Sequence, residues 1–131
     1  GSAHRMFGYR TLAIAIFMPL MMLSACSHKA EMIDSLIILN NTNTPAFNVT
    51  LRDQVTGSIV SCSTVLPQSE CSVGFSAIEN KHNPATLSWT QNGKSYQKPL
   101  PTKPNTAVHP EYPNKAVVTI QSGGSLNLSM D

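Results

Sequence analysis

From residue 35 onward the apolar residues fall in short runs, and most of these runs alternate with polar ones at a period of two. Residues 35–40 (SLIILN) form a continuous apolar run, short enough to be a strand buried on both faces. Residues 46–53 (AFNVTLRD) alternate, which places Phe47, Val49 and Leu51 inward. In residues 58–65 (SIVSCSTV) Val60 and Cys62 share a face, as do Cys71, Val73 and Phe75 in residues 71–75. Residues 85–91 (ATLSWTQ) put Ala85, Leu87 and Trp89 inward, making Trp89 a core residue rather than a stacking platform. Asn92-Gly93 then precedes KSYQKPL; both residues tolerate positive φ, so the pair predicts a tight type I′ hairpin. Residues 115–121 and 125–130 alternate again across Ser122-Gly123-Gly124, with Leu126, Leu128 and Met130 to one side.

Turn clusters separate these runs: NNTNTP, QVTG and LPQSE. No stretch beyond residue 26 carries an apolar period of 3.6. Seven or eight short strands with regular turns predict an all-β fold, a small immunoglobulin-like or transthyretin-like antiparallel sandwich over residues 35–131. Only residues 99–114 break the rhythm. They hold five of the nine prolines and predict one long irregular connection.

The front of the chain is different in kind. Residues 1–5 (GSAHR) read as a cloning scar ahead of a natural start at Met6. Arg10 supplies a positive region, and residues 11–22 (TLAIAIFMPLMM) an apolar one too short for a stable membrane span and interrupted by Pro19. Leu23-Ser24-Ala25-Cys26 follows. This arrangement resembles the lipobox of bacterial lipoprotein signal peptides. The resemblance implies that residues 6–25 are a signal peptide, that the Cys26 thiolate takes a diacylglyceryl group, and that cleavage falls just before it. Three acyl chains would make anchoring effectively permanent. Ser27, where an Asp would signal retention, implies the outer membrane, with residues 26–34 as a lipidated tether facing the periplasm.

Cys62 and Cys71 then remain as an even pair in an exported chain. An oxidising compartment makes a disulfide the default, and closing so short a loop stabilises by about 2–3 kcal/mol in the chain-entropy model. Their shared position on the apolar faces of strand-like runs places the bridge between neighbouring strands. A C-x8-C pair without a nearby histidine makes a poor zinc site, and C-x-x-C is the usual redox spacing.

Charge removes one large class of function. Beyond residue 25 seven basic residues face seven acidic ones, so no basic field for nucleic acid exists. Catalysis has no foothold either. His28, His82 and His109 lie outside any recognisable motif, and the sequence lacks G-x-S-x-G, H-E-x-x-H, a phosphate loop and a close carboxylate pair. The expectation is a chain that is not an enzyme and needs no cofactor or metal.

Two stretches offer contact surface. Lys94, Tyr96 and Lys98 share one face of a strand, with Lys103 nearby, and make a basic patch containing an aromatic. The proline-rich connection carries Val108, His109 and Tyr112 on a segment whose stiffness lowers the ordering cost of binding. The preferred reading is a periplasmic protein that binds a protein partner, as an inhibitor or immunity protein of an envelope-acting enzyme. The alternative is a structural subunit of a secretion or conjugation apparatus. Lipoproteins of type VI secretion are similar in layout, a lipobox followed by a small β-sandwich. A carbohydrate-binding module ranks last, because the mature chain has few aromatics to stack on sugars.

Overall fold

A computed structural model describes residues 31–104, 108 and 112–131. The expected signal peptide, Cys26 and the first part of the expected tether lie outside these residues. Among the described residues are eight strands: β1 Met32–Asn40, β2 Ala46–Asp53, β3 Ile59–Val65, β4 Ser69–Glu79, β5 Ala85–Gln91, β6 Lys94–Pro99, β7 Asn114–Ile120 and β8 Leu126–Met130. They build two four-stranded sheets in the orders β4-β1-β7-β8 and β3-β2-β5-β6. The fold is an all-β sandwich with one disulfide. Among the described residues the only helical element is the 3-10 turn Ser122–Gly124. Every pairing is antiparallel except β1 with β7.

The alternating runs become strands because one side of each sheet faces the other across the core. Ile38, Val49, Val65, Leu87, Val118 and Ile120 lose all or nearly all exposure there. Each such side chain contributes about 1.5–3 kcal/mol relative to an exposed one. Asn92 (φ 53°) and Gly93 (φ 74°) both take positive φ between β5 and β6, as the hairpin prediction requires.

Several expectations need correction. β1 begins at Met32, so residues 32–34 are strand rather than tether; Asn114 Nδ2 donates to Met32 O at 3.1 Å. The run 35–40 is not buried on both faces: Leu36, Ile38 and Asn40 are buried, while Ile37 and Leu39 stay half-buried on the outer side. Phe47 points outward, 45% exposed. Asn48 takes φ 53°, and the β2–β5 register slips between Phe47 and Thr50. This bulge changes the parity, so Ala46 and Val49 are the inward residues. Finally, Cys62 and Cys71 lie on strands adjacent in sequence but in opposite sheets. The bridge therefore ties one sheet to the other, where β3 and β4 are the edge strands.

The two ends of the sandwich close differently. At the end reached by Asn40, a buried polar knot joins the sheets. Asn40 Nδ2 donates to Thr44 O (2.8 Å) and Val65 O (3.0 Å), and Asn40 Oδ1 accepts from Thr42. Gln91 Nε2 donates to Thr42 Oγ1 at 2.8 Å, while its Oε1 accepts from Trp89 Nε1 at 3.1 Å. At the other end, where β1 starts, a cleft opens between the sheets.

Candidate functional site

The sheets' two lateral sides differ in chemistry. On one side lie the edges of β6 and β8. Tyr96 stacks on Trp89 with ring centroids 5.0 Å apart and planes 9° apart, and the ring also lies against Gly124. Gly124 takes φ +81°, and a Cβ there would come within 2.5 Å of Tyr96 Cε2. Lys94, Tyr96 and Lys98 do share a face, but it is the inner one: Tyr96 is opposite Trp89, and Lys98 is opposite the buried Leu87. At this strand edge the tyrosine packs inward while both lysines remain exposed. Lysines that begin on the inner face of an edge strand, with Pro99 closing it, are a protection against pairing with another chain. Tyr96 is thus a packing residue, not an open contact.

On the other side lie the edges of β3 and β4, tied by Cys62–Cys71. Neither strand contains Lys, Arg or Pro; their only charges are Glu70 and Glu79. Exposed apolar side chains flank the pair: Ile59 at 56%, Leu66 at 60% and Ile78 at 52%. The register of β4 against β1 holds through residues 69–74, then residues 75–77 oppose Asp34 alone. Among the described residues nothing pairs with the outer edge of residues 69–74, which therefore offer a regular free edge about 20 Å long. This feature was missed in the sequence patches above. Its signal was present as the complete absence of basic residues between residues 58 and 79.

A third feature is the open end. Between the sheets an apolar cleft of about 500 Å³ is floored by Ile33, Leu51, Val60, Phe75, Leu128 and Met130. Its mouth is held by polar contacts. Asp53 Oδ1 accepts from the Val55 and Thr56 N–H groups at 2.8 and 3.0 Å, and Asn83 Nδ2 donates to Oδ2 at 3.1 Å. The Thr56 backbone bond, then the Asn83 and Val55 bonds, hold the Asp53 carboxyl below its ordinary pKa. Glu31 carboxylate oxygen lies 2.8 Å from His82 Nε2 and accepts from Asn80 Nδ2 at 2.7 Å.

The remaining sequence candidates are dispersed. Tyr112 is 56% exposed, Lys103 is exposed, and Val108 is half-buried against the core. Cys26 and His109 lie outside the described residues. Among the described residues no three His, Cys, Asp or Glu side chains stand close enough to hold a metal ion.

No protein-family model matches the chain, and no curated protein matches it. Among solved structures it is similar to the NMR structure of a protein from Eubacterium rectale. The two share 10% identity over 76% of this chain and 88% of that one, with a TM-score of 0.45.

Proposed function

We propose that the chain is a non-enzymatic lipoprotein, anchored through Cys26 to the outer membrane and facing the periplasm, whose sandwich binds a protein partner along the β3/β4 side. The observation that carries this reading is the contrast between the two lateral sides. One edge is guarded by Lys94, Lys98 and Pro99; the other has no such residue and is flanked by exposed Ile59, Leu66 and Ile78. A free strand edge takes an extended segment through main-chain hydrogen bonds, and flanking apolar side chains supply the anchors. The disulfide holds the two free edges together before a partner arrives, which lowers the ordering cost of binding.

Among partners, a single soluble envelope enzyme held by an inhibitor or immunity protein fits best, since the neutral surface provides no broad field for a polyanion. Sugar binding finds less support, because Trp89 is only 2% exposed and Tyr96 is stacked on it.

The test is capture from envelope extract by the Cys26→Ser chain, alongside the same chain carrying Ser72→Lys on the free edge. The expected result is one soluble hydrolase, inhibited at one-to-one stoichiometry by the parent chain and captured at least tenfold less by the lysine variant. A set of membrane assembly proteins, retained equally by both chains, would identify a subunit of a secretion or conjugation apparatus and sink the inhibitor reading.

A further inference from the structure

The cleft at the open end has a place in the fold that bears on the anchor. We infer that it is a resting site for an acyl chain carried by Cys26, occupied when the protein is off the membrane. The inference rests on the lipoprotein reading and goes beyond it, because a lipobox says nothing of where the lipid sits once water surrounds it.

The walls decide the class of ligand. The floor is hydrocarbon from both sheets, and at the mouth Asp53, Asn80, His82 and Asn83 already have partners. Asp53 accepts from Val55, Thr56 and Asn83, Glu31 from Asn80, and Asn80 Oδ1 accepts from the His82 N–H at 3.0 Å. Among the described residues no buried side-chain polar atom lacks a partner. A guest deep in this space therefore meets mainly hydrocarbon. It gains only by removing its own apolar surface, and that of Ile33, Leu51 and Phe75, from water. A plain hydrocarbon chain meets that requirement, and a polar or charged body does not.

The mouth decides between sources of such a chain. Glu31, Asp53 and Glu79 stand around it, against Lys81 and the His82 that already contacts Glu31. A free fatty acid would bring a carboxylate into this setting, whereas a diacylglyceryl group in thioether linkage brings none. The chain's own course points the same way. β1 starts at this end, and Glu31 is fixed there through His82 and Asn80. Cys26 precedes Glu31 by five residues, a reach of at most about 18 Å. A lipid on Cys26 is therefore tethered within range of the cleft at high effective concentration. In a bilayer its chains already lie in hydrocarbon and gain nothing by moving, so the site matters only away from the membrane.

The experiment compares the wild-type chain, expressed from Met6 and processed in a bacterial host, with the full Cys26→Ser chain, both free of detergent. Uptake of the neutral apolar dye Nile red is measured, with hexadecanol and palmitate as competitors. The Cys26→Ser chain should bind one dye, displaced by hexadecanol more readily than by palmitate. The lipidated chain should bind it at least tenfold more weakly, because its own acyl chain fills the cleft. Ser58→Trp, which places an indole at the cleft wall, should reduce uptake by the Cys26→Ser chain without loss of the folded signal. Equal uptake by the lipidated and unlipidated chains overturns the inference, as does a Cys26→Ser chain that binds no dye. Better displacement by palmitate would assign the cleft to a free fatty acid and overturn the choice of occupant. Mass spectrometry separates the premise: a wild-type chain without the diacylglyceryl mass overturns the lipoprotein reading itself. A correct mass with unchanged uptake overturns only the resting site.

Discussion

The two lateral sides of this sandwich close in opposite ways. The β6/β8 side is sealed by side chains: Tyr96 stacks on Trp89 and lies against Gly124, and two lysines stand off any approaching strand. The β3/β4 side is sealed by a covalent bond and, among the described residues, leaves its backbone edges free. A disulfide holds two edges together without occupying their hydrogen-bonding groups. Packing and guarding residues do the reverse. The difference explains how a small domain can be stable and still present an open edge, which ordinarily invites aggregation.

Breaking the covalent side should have the largest effect. Cys62→Ser with Cys71→Ser is expected to cost about 3 kcal/mol of unfolding free energy, read from urea denaturation, with faster amide exchange in β3 and β4 before other strands. On the packed side, Tyr96→Ala removes a half-buried ring and should cost about 2 kcal/mol, with exchange rising at Ser122–Gly124 and in β6 instead. Gly124→Ala forces a methyl group against the same ring at positive φ, for a loss of about 1–2 kcal/mol. If these two variants loosened β3 and β4 as much as β6, the sides would not be independent and the comparison would fail.

Smaller changes sharpen the contrast. Lys94→Thr with Lys98→Thr should leave stability within about 0.5 kcal/mol, yet cause self-association in sedimentation velocity by exposing a second unguarded edge. The smallest effect concerns the turn that leads into β3. The carboxyl of Asp53 titrates below its unfolded value, so its contribution is present above that value and is lost as pH falls through the folded one. Amide exchange at Val55 and Thr56 should rise as pH drops below about 4, after correction for intrinsic rates. Asp53→Asn should weaken that dependence.

Much of the fold was legible because alternation reports burial directly. Residues 85–91 and the Asn92-Gly93 turn carried both their structure and their orientation, and Leu87 and Trp89 are where the period put them. What alternation cannot report is which sheet a strand joins. Cys62 and Cys71 faced inward as expected, but inward is common to both sheets, so their strands were placed side by side rather than across the core. Phe47 was misplaced because one extra residue at Asn48 inverts every face before it, and a period of two is blind to such a bulge. The grouping of Lys94, Tyr96 and Lys98 on one face was correct in pattern. At an edge strand, though, long lysines reach solvent from the inner face, so two charges there do not make that face a surface. The free edge itself is a property of tertiary placement: nothing in SECSVGFSAIE says that, among the described residues, only one neighbour will pair with it.

The most direct measurement is amide hydrogen exchange on the chain, free and saturated with the protein partner it is proposed to bind. The account predicts new protection concentrated in residues 69–74 and in β3, with β6 unchanged and Ser72→Lys abolishing the effect. Protection at β6, or around Tyr112, with residues 69–74 exchanging as in the free chain, would contradict it.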